Sequence, residues 1–378
     1  MKKAVLGVLL AVIVVGATIG ISLGFIYFSI SSEPKFSKIL ISNDFQEPGR
    51  IFGTDVDEDG DIDVICASGG RDEIAWWEND DLTFTKHVIT DNFGGVFFIN
   101  IGDIDKDGDQ DVLGPASSSN EIAWWENDNA TFVKHTIVTG YVYPYSINSF
   151  DVDLDGDIDI LSTGSYKVTW WENNGSQSFT QHDISGGYPE ISTQGHASIF
   201  AGDLDNDNDV DIFTGSTANP PNVGEICCWE NDGNENFTKI QITSNYGRVH
   251  DLKPIDMDND GDIDICTNSA VDNSIDWYEN IGSLNFSRHT VGSINGPDTV
   301  FPVDLDKDGD FDIIADSYFD DKISWFENFG NHGFTEHVIA SNFDGAATCF
   351  AIDIDGDTDI DVLGTAYDAA EVAIWLHY

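Results

Sequence analysis

The chain has 378 residues, with 68 acidic side chains against 16 basic ones and a formal charge of −52. That balance excludes a DNA- or RNA-binding protein, because phosphate contacts need clustered Lys and Arg. The five cysteines, Cys66, Cys227, Cys228, Cys266 and Cys349, are odd in number and lie in strand-like runs, so they read as buried thiols rather than a disulfide framework.

Met1-Lys2-Lys3 precedes an uncharged, almost wholly apolar run from Ala4 to Ile30. Its 27 residues exceed the ~20 needed to cross a bilayer. Residues 1–30 therefore read as a signal-anchor transmembrane helix, with the basic N-terminus in the cytoplasm and the C-terminal domain exported to the cell surface. A cleaved signal peptide with secretion, or a pilin-like leader cut near Lys3-Ala4, are the alternatives. Residues 31–35 form a short linker, and residues 36–378 form the globular part.

An acidic nine-residue loop then recurs seven times, at intervals of 48 to 53 residues, which is the mark of a repeat architecture. The first carries Asp55, Asp57, Asp59, Asp61 and Asp63, with Gly60 at position 6. The second carries Asp103, Asp105, Asp107, Asp109 and Asp111; the third Asp151, Asp153, Asp155, Asp157 and Asp159; the fourth Asp203, Asp205, Asp207, Asp209 and Asp211. The last three carry Asp256, Asp258, Asp260, Asp262 and Asp264; Asp304, Asp306, Asp308, Asp310 and Asp312; and Asp353, Asp355, Asp357, Asp359 and Asp361. Carboxylates at positions 1, 3 and 5 with a glycine at 6 can wrap a hard cation, much as an EF-hand loop does.

Two further motifs keep the same period. Ile74-Ala-Trp-Trp-Glu-Asn79 recurs around Trp125, Trp171, Trp229, Tyr278 and Phe326, and in reduced form at Trp375. Phe84-Thr-Lys-His-Val-Ile89 recurs from Phe132, Phe179, Phe286 and Phe334, and with Ile in place of His from Phe36 and Phe237. Each unit reads as four strands: an apolar run before the loop such as Val96–Ile101, a short strand after it, the tryptophan strand and the phenylalanine strand. The spacing predicts an all-β, seven-bladed β-propeller of four-stranded blades. The globular part opens on a lone phenylalanine strand and ends on a lone tryptophan strand, so the N-terminal strand should close the last blade. An open array with capping repeats is the competing architecture.

Gly102-Asp-Ile-Asp-Lys-Asp-Gly-Asp-Gln-Asp-Val-Leu-Gly-Pro115 resembles the FG-GAP/VCBS repeat family, which includes integrin α-subunit heads, some fungal lectins and many microbial surface proteins. The resemblance spans residues 36–378. It implies Ca²⁺, up to seven ions, in the hairpin between the first two strands of each blade. It says little about function, because the scaffold hosts several.

Thirty-six of the 68 acids lie inside the loops, five aspartates in each of seven and Glu58 besides, so the acidity is mostly a metal requirement. Folding and metal binding should then be coupled. Export agrees with this, since weak extracellular calcium sites suffice where calcium is plentiful. Four sequons, at Asn129, Asn174, Asn236 and Asn285, fall in the turn between the tryptophan and phenylalanine strands; they are glycosylation acceptors or simply turn residues.

In an up-and-down blade that turn shares a face with the metal loops. Phe36 starts on this face just after the apolar segment, so the metal face should lie toward the membrane. The opposite face is the candidate for ligand contact. Its connections carry Phe45, Phe93, Tyr141, Tyr143, Tyr145, Tyr188, Tyr246 and Phe343, which serve either ligand stacking or packing between blades. Longer loops at Tyr188–Gly195 and Thr217–Gly224, with His196, Arg248 and His250 nearby, single out a possible ligand site of Tyr188, His196, Tyr246, Arg248 and His250.

The repeated His87, His135, His182, His289 and His337 read as structural. Glu78 and its equivalents Glu126, Glu172, Glu230, Glu279 and Glu327 read as satisfying the turn beside the metal loop. Asn208 and Thr358 replace glycine at position 6; Asn tolerates a left-handed backbone, whereas a β-branched residue does not.

The leading function is a membrane-anchored extracellular adhesion or ligand-binding module for a glycan or another surface protein. A structural envelope or filament subunit is the alternative. A polysaccharide lyase or hydrolase is a further one, since some lyases resemble this scaffold. The chain shows no nucleophile elbow, zinc signature or phosphate loop, and the reading is of a protein that is not an enzyme.

Overall fold

The computed structural model describes residues 35–164, 167–184, 198–216, 224–330 and 333–378. The expected transmembrane segment 1–30, Tyr188, His196 and nearly all of both lengthened loops lie outside them. Among the described residues no helix is long and apolar enough to cross a membrane.

Seven four-stranded antiparallel sheets follow one another along the chain. Blade 1 comprises Pro48–Thr54, Asp63–Ser68, Glu73–Asp80 and Thr83–Thr90. Blades 2 to 6 occupy 100–139, 147–183, 198–246, 252–293 and 300–341. Blade 7 takes Ala346–Ile352, Asp361–Ala366 and Glu371–His377, and Phe36–Ser42 adds its outer strand antiparallel to the last of these, from Phe36 opposite His377 to Ser42 opposite Val372. The first strands of neighbouring blades meet, which sets them around a central axis. The ring is therefore closed between the two ends of the globular part, as the split repeat requires.

Burial explains the strand chemistry. The second and third strands are covered on both faces by neighbouring blades, so they read as nearly continuous apolar runs. The fourth strand alternates between half-buried and exposed residues. The paired aromatics of the third strand divide the work. Trp76 packs with Trp125 in the core between blades 1 and 2, while Trp77 packs toward blade 7 against Leu363 and Ile374. Every junction between adjacent blades has such a cluster.

One expectation changes and one pair of alternatives is decided. The strand expected over Val96–Ile101 begins only at Asn100. Before it the backbone is engaged across blades, with the Phe97 carbonyl accepting the Arg50 N–H at 2.8 Å. The aromatics of the opposite-face connections are mostly core. Phe45, Phe93, Tyr141, Tyr246 and Phe343 are buried, edge-on at 4.8–5.8 Å to Trp77, Trp125, Trp171, Tyr278 and Trp375. Packing claims them because each joins the apolar cluster at a junction between two blades. All five cysteines are free and buried.

Candidate metal centres

Each acidic loop is held by its own carboxylates. In blade 1 the Gly60 N–H donates to Asp55 Oδ2 (3.0 Å), Asp59 N–H to Asp57 Oδ1 (3.3 Å) and Asp61 N–H to Asp59 Oδ1 (2.9 Å). The position 6 to position 1 bond recurs from Gly156, Asn208, Gly261, Gly309 and Thr358 at 2.9–3.1 Å. The last aspartate is the anchor. Asp63 is fully buried; its Oδ2 accepts Val56 N–H (2.9 Å) and its Oδ1 accepts Asn79 N–H (2.7 Å). The same two bonds hold Asp111, Asp159, Asp211, Asp264, Asp312 and Asp361, with His377 supplying the second donor in blade 7.

The carboxylates converge. Oxygens of Asp55, Asp57 and Asp63 lie within 4.8 Å of one another, and so do those of positions 1, 3 and 9 in the next three loops. In the fifth loop the group is Asp256, Asp258 and Asp260. Within these loops one oxygen each of Asp55, Asp103, Asp151, Asp205, Asp304 and Asp353 is buried without a hydrogen bond. A buried acceptor left without a donor is costly. Here that feature recurs from loop to loop and points into a group of carboxylates. Burial pushes the carboxyls of Asp63, Asp111, Asp211, Asp264 and Asp312 up to about 7, and those of Asp159 and Asp361 up to about 6; neighbouring aspartates add to the rise and the backbone amides oppose it. Oxygen-only, anionic and short of donors, this set fits a hard dication of the Ca²⁺ type.

Position 7 behaves differently. Asp157 pairs with Lys106 of the preceding loop at 2.5 Å, Asp359 with Lys307 at 3.0 Å, and Asp262 accepts from Asn206 at 2.7 Å. Asp109 accepts the N–H of Asn129 at 3.0 Å, which also places that sequon on the face of the acidic loops. Asn129, Asn174, Asn236 and Asn285 are all exposed in their turns.

The role expected of the repeated glutamate belongs to the asparagine after it. Asn79 Nδ2 donates to the Ile62 carbonyl (3.0 Å), and its Oδ1 accepts the N–H of Leu82 (2.8 Å). Asn127 and Asn280 reach back to the loop of the preceding blade, donating to the Val56 and Leu204 carbonyls at 2.9 and 2.8 Å. The glutamates face the other side of the strand and meet the histidines. Glu78–His87, Glu126–His135, Glu172–His182, Glu279–His289 and Glu327–His337 are 2.6–2.8 Å apart. Each of these histidines stacks on the first indole of its blade at 4.5–4.7 Å. They are packing residues, as expected from their recurrence.

Positions 4 and 6 of the loop both lie at positive φ. Position 4 reads Glu58, Lys106, Leu154, Asn206, Asn259 and Lys307 at 59–64°, and Gly356 at 71°. In the seventh loop the glycine has moved to position 4, leaving Thr358 at φ 80°. A β-branched residue there is strained by about 1–3 kcal/mol. Thr358→Gly should raise the melting temperature by about 1–3 °C, measured by calorimetry in millimolar calcium. A fall would show that Thr358 contributes more through its contacts than it costs in strain.

Of the proposed blade 3–5 ligand site, Tyr246, Arg248 and His250 are among the described residues. Tyr246 is buried, its hydroxyl donating to Asp276 at 2.7 Å. His250 pairs with Asp298 through Nδ1, and Arg248 is half-buried. A groove of about 470 Å³ does open between the outer strands of blades 3 and 4, lined by Gln181, His182, Asp183 and Phe237 among others. Sequence reading missed a charged cluster in the channel. Five residues before each loop stand Arg50, Phe98, Ser146, Ser198, Asp251, Thr299 and Thr348, and the single Arg and single Asp meet across the axis. Their departure from the repeat at one register position was the available signal.

Comparison with curated proteins finds no match. Among solved structures, the fold resembles an Agrocybe aegerita lectin described as specifically recognising non-reducing terminal N-acetylglucosamine (18% identity, 85% of this chain and 86% of that chain, TM-score 0.55). It also resembles BBS1N in complex with ARL6DN, in lead- and mercury-soaked forms (10% identity, 92% and 98% covered, TM-score 0.62). These likenesses concern the fold. The FG-GAP-like repeat matches residues 55–114, 103–162, 151–214 and 256–315, together more than half of the chain. With the seven blades and their acidic hairpins, that match places this chain in the FG-GAP-like repeat family.

Proposed function

We propose that the chain is a calcium-stabilised, membrane-anchored extracellular β-propeller that binds a glycan or a surface protein, rather than a catalyst. The observation that carries this reading is the recurring buried carboxylate oxygen without a donor, facing two or more further carboxylates. Positions 1, 3 and 9 of each loop, with position 5, would hold Ca²⁺, which when bound supplies charge neutralisation and cross-links the hairpin. One face is then taken up by metal loops and the opposite face is left for contact. The fold's likeness to a lectin supports the glycan arm. The formal charge of −52 weighs against nucleic acid. The apolar run Ala4–Ile30 supports the anchor and the surface location.

The test is to probe glycan and surface-protein arrays with the full chain, kept in detergent because of its apolar first thirty residues. Binding should be present in millimolar calcium and lost in chelator. Depolymerisation of a polysaccharide would replace the reading with an enzymatic one, and calcium-independent binding would remove the metal from it.

A further inference from the structure

We propose that blades 6, 7 and 1 carry an aromatic platform for a neutral oligosaccharide on the face away from the metal loops. This rests on the binding-module reading and names its site and ligand class. The starting point is a break in the repeat. Six residues after the last aspartate of each loop stand Gly69, Ser117, Ser165, Thr217, Ala270, Tyr318 and Tyr367. Only blades 6 and 7 place a tyrosine there. In blade 1 the position is glycine, and the ring of Phe97 lies over it; a Cβ on Gly69 would sit 2.0 Å from that ring. Phe97 thus takes the place of a third tyrosine.

The rings form a row. Tyr318 and Tyr367 are 6.4 Å apart, and Tyr367 stacks toward Phe97 at 6.4 Å and 20°. Phe319, 68% exposed, extends the row 5.1 Å beyond Tyr318 and rests on Gly296. Phe98, next to Phe97 in the chain, is not part of the row; its ring meets Tyr145 at 4.6 Å and the Arg50 guanidinium at 5.3 Å on the channel side.

The row is held in place without a ligand. Tyr318 donates its hydroxyl to Asp368 of the next blade at 2.9 Å, and the Tyr367 hydroxyl lies by the Glu47 carboxylate, where burial and that charge push its pKa up. Rings fixed in this way lose little freedom on binding. They are half-buried, unlike the wedges Phe45 and Phe343, which are wholly enclosed.

The chemistry of the rim selects the ligand. Beside the rings stand Asp368, Glu47 and Asp344, which accept hydrogen bonds and donate none. A sugar offers an apolar C–H face to stack on a ring and hydroxyls to donate to such a rim. An acidic polymer would be repelled. The cations on this side are engaged by carboxylates: Arg71 by Asp44, Lys322 by Glu336 and Asp320, and Arg50 and Lys253 by Asp251.

The test uses the full chain in detergent and millimolar calcium on a neutral-oligosaccharide array. Tyr367→Ala and Phe319→Ala should each weaken binding at least tenfold at an unchanged melting temperature. Tyr367→Phe should stay within about threefold of wild type, because the ring remains. Tyr143→Ala, exposed on the same face but outside the row, should change nothing. Phe319 is mostly exposed, so its removal leaves the fold intact and keeps the test informative. Undiminished binding in both alanine variants overturns the platform while leaving the binding-module reading in place. A wild-type chain that binds a surface protein or basic peptide but no neutral glycan also overturns the platform. If neither glycan nor protein binds, both fall.

Discussion

Chelation of divalent metal should lower the melting temperature of this chain by tens of degrees or unfold it at room temperature. Each filled site with a dissociation constant one hundredth of the free calcium contributes about 2.7 kcal/mol to stability. Seven such sites would supply about 19 kcal/mol, more than the 5–15 kcal/mol that folded domains typically have in total. What remains after chelation is a ring of carboxylate groups on one face. Calorimetry across a calcium titration, with a metal count, reads this directly. An unchanged melt would remove calcium from the account of this fold.

The pH dependence of the stripped protein should have an unusual sign. The position 9 carboxyls are raised in the folded chain to about 6–7, chiefly by burial. Between the ordinary aspartate value and that range, the folded state binds more protons than the unfolded state. Its stability is therefore lost as pH rises from about 4 to 7. In chelator the melting temperature should increase on acidification from pH 7.5 to 5. With calcium present it should fall over the same interval, because protons compete with the metal.

Asp251→Ala should cost about 3–5 kcal/mol of unfolding free energy, as expected when one partner of a buried ion pair is deleted. Asp251 is fully buried in blade 5 and receives the Arg50 guanidinium of blade 1 through two bonds of 3.1 and 2.9 Å, across 201 residues of sequence. Lys253 Nζ lies 3.4 Å from the same carboxylate, and Ser198 Oγ donates to it. Burial pushes the Asp251 carboxyl up, but Arg50 and Lys253 outweigh it and the net shift is downward. Its stabilisation is present above the ordinary aspartate range and is lost only as pH falls through the lowered folded value. Without Asp251, two cations face one channel. The double variant Arg50→Met/Asp251→Leu should recover part of the loss. Urea midpoints at constant calcium measure both. A loss below about 1 kcal/mol would mean that the pair is as weak as a solvated surface bridge.

The parts of the site that were legible are those that repeat. Positions 1, 3 and 5 announced the acidic hairpins in which carboxylates converge, and the lone strands Phe36–Ser42 and Glu371–His377 announced the closed ring. Parts with no periodic signature were misassigned or missed. Glu78 and Asn79 have adjacent counterparts in six of the seven copies, and only their opposite orientations on the strand show that the asparagine serves the loop while the glutamate serves His87. Phe45 and Tyr246 carry no sign in sequence that distinguishes a buried wedge from an exposed ring. Phe97 looked like a strand residue, and its place over Gly69 appears only when blade 2 is set beside blade 1.

The sequence by itself determined the blade count, the strand order and the location of the acidic hairpins, because a local pattern copied seven times makes its period and its chemistry visible without any contact being known. Tertiary structure alone decided which carboxylate oxygens lack donors, which aromatics face solvent and which charges meet across the channel. Those depend on neighbouring and opposite blades, brought together when Phe36 pairs with His377 and the ring closes.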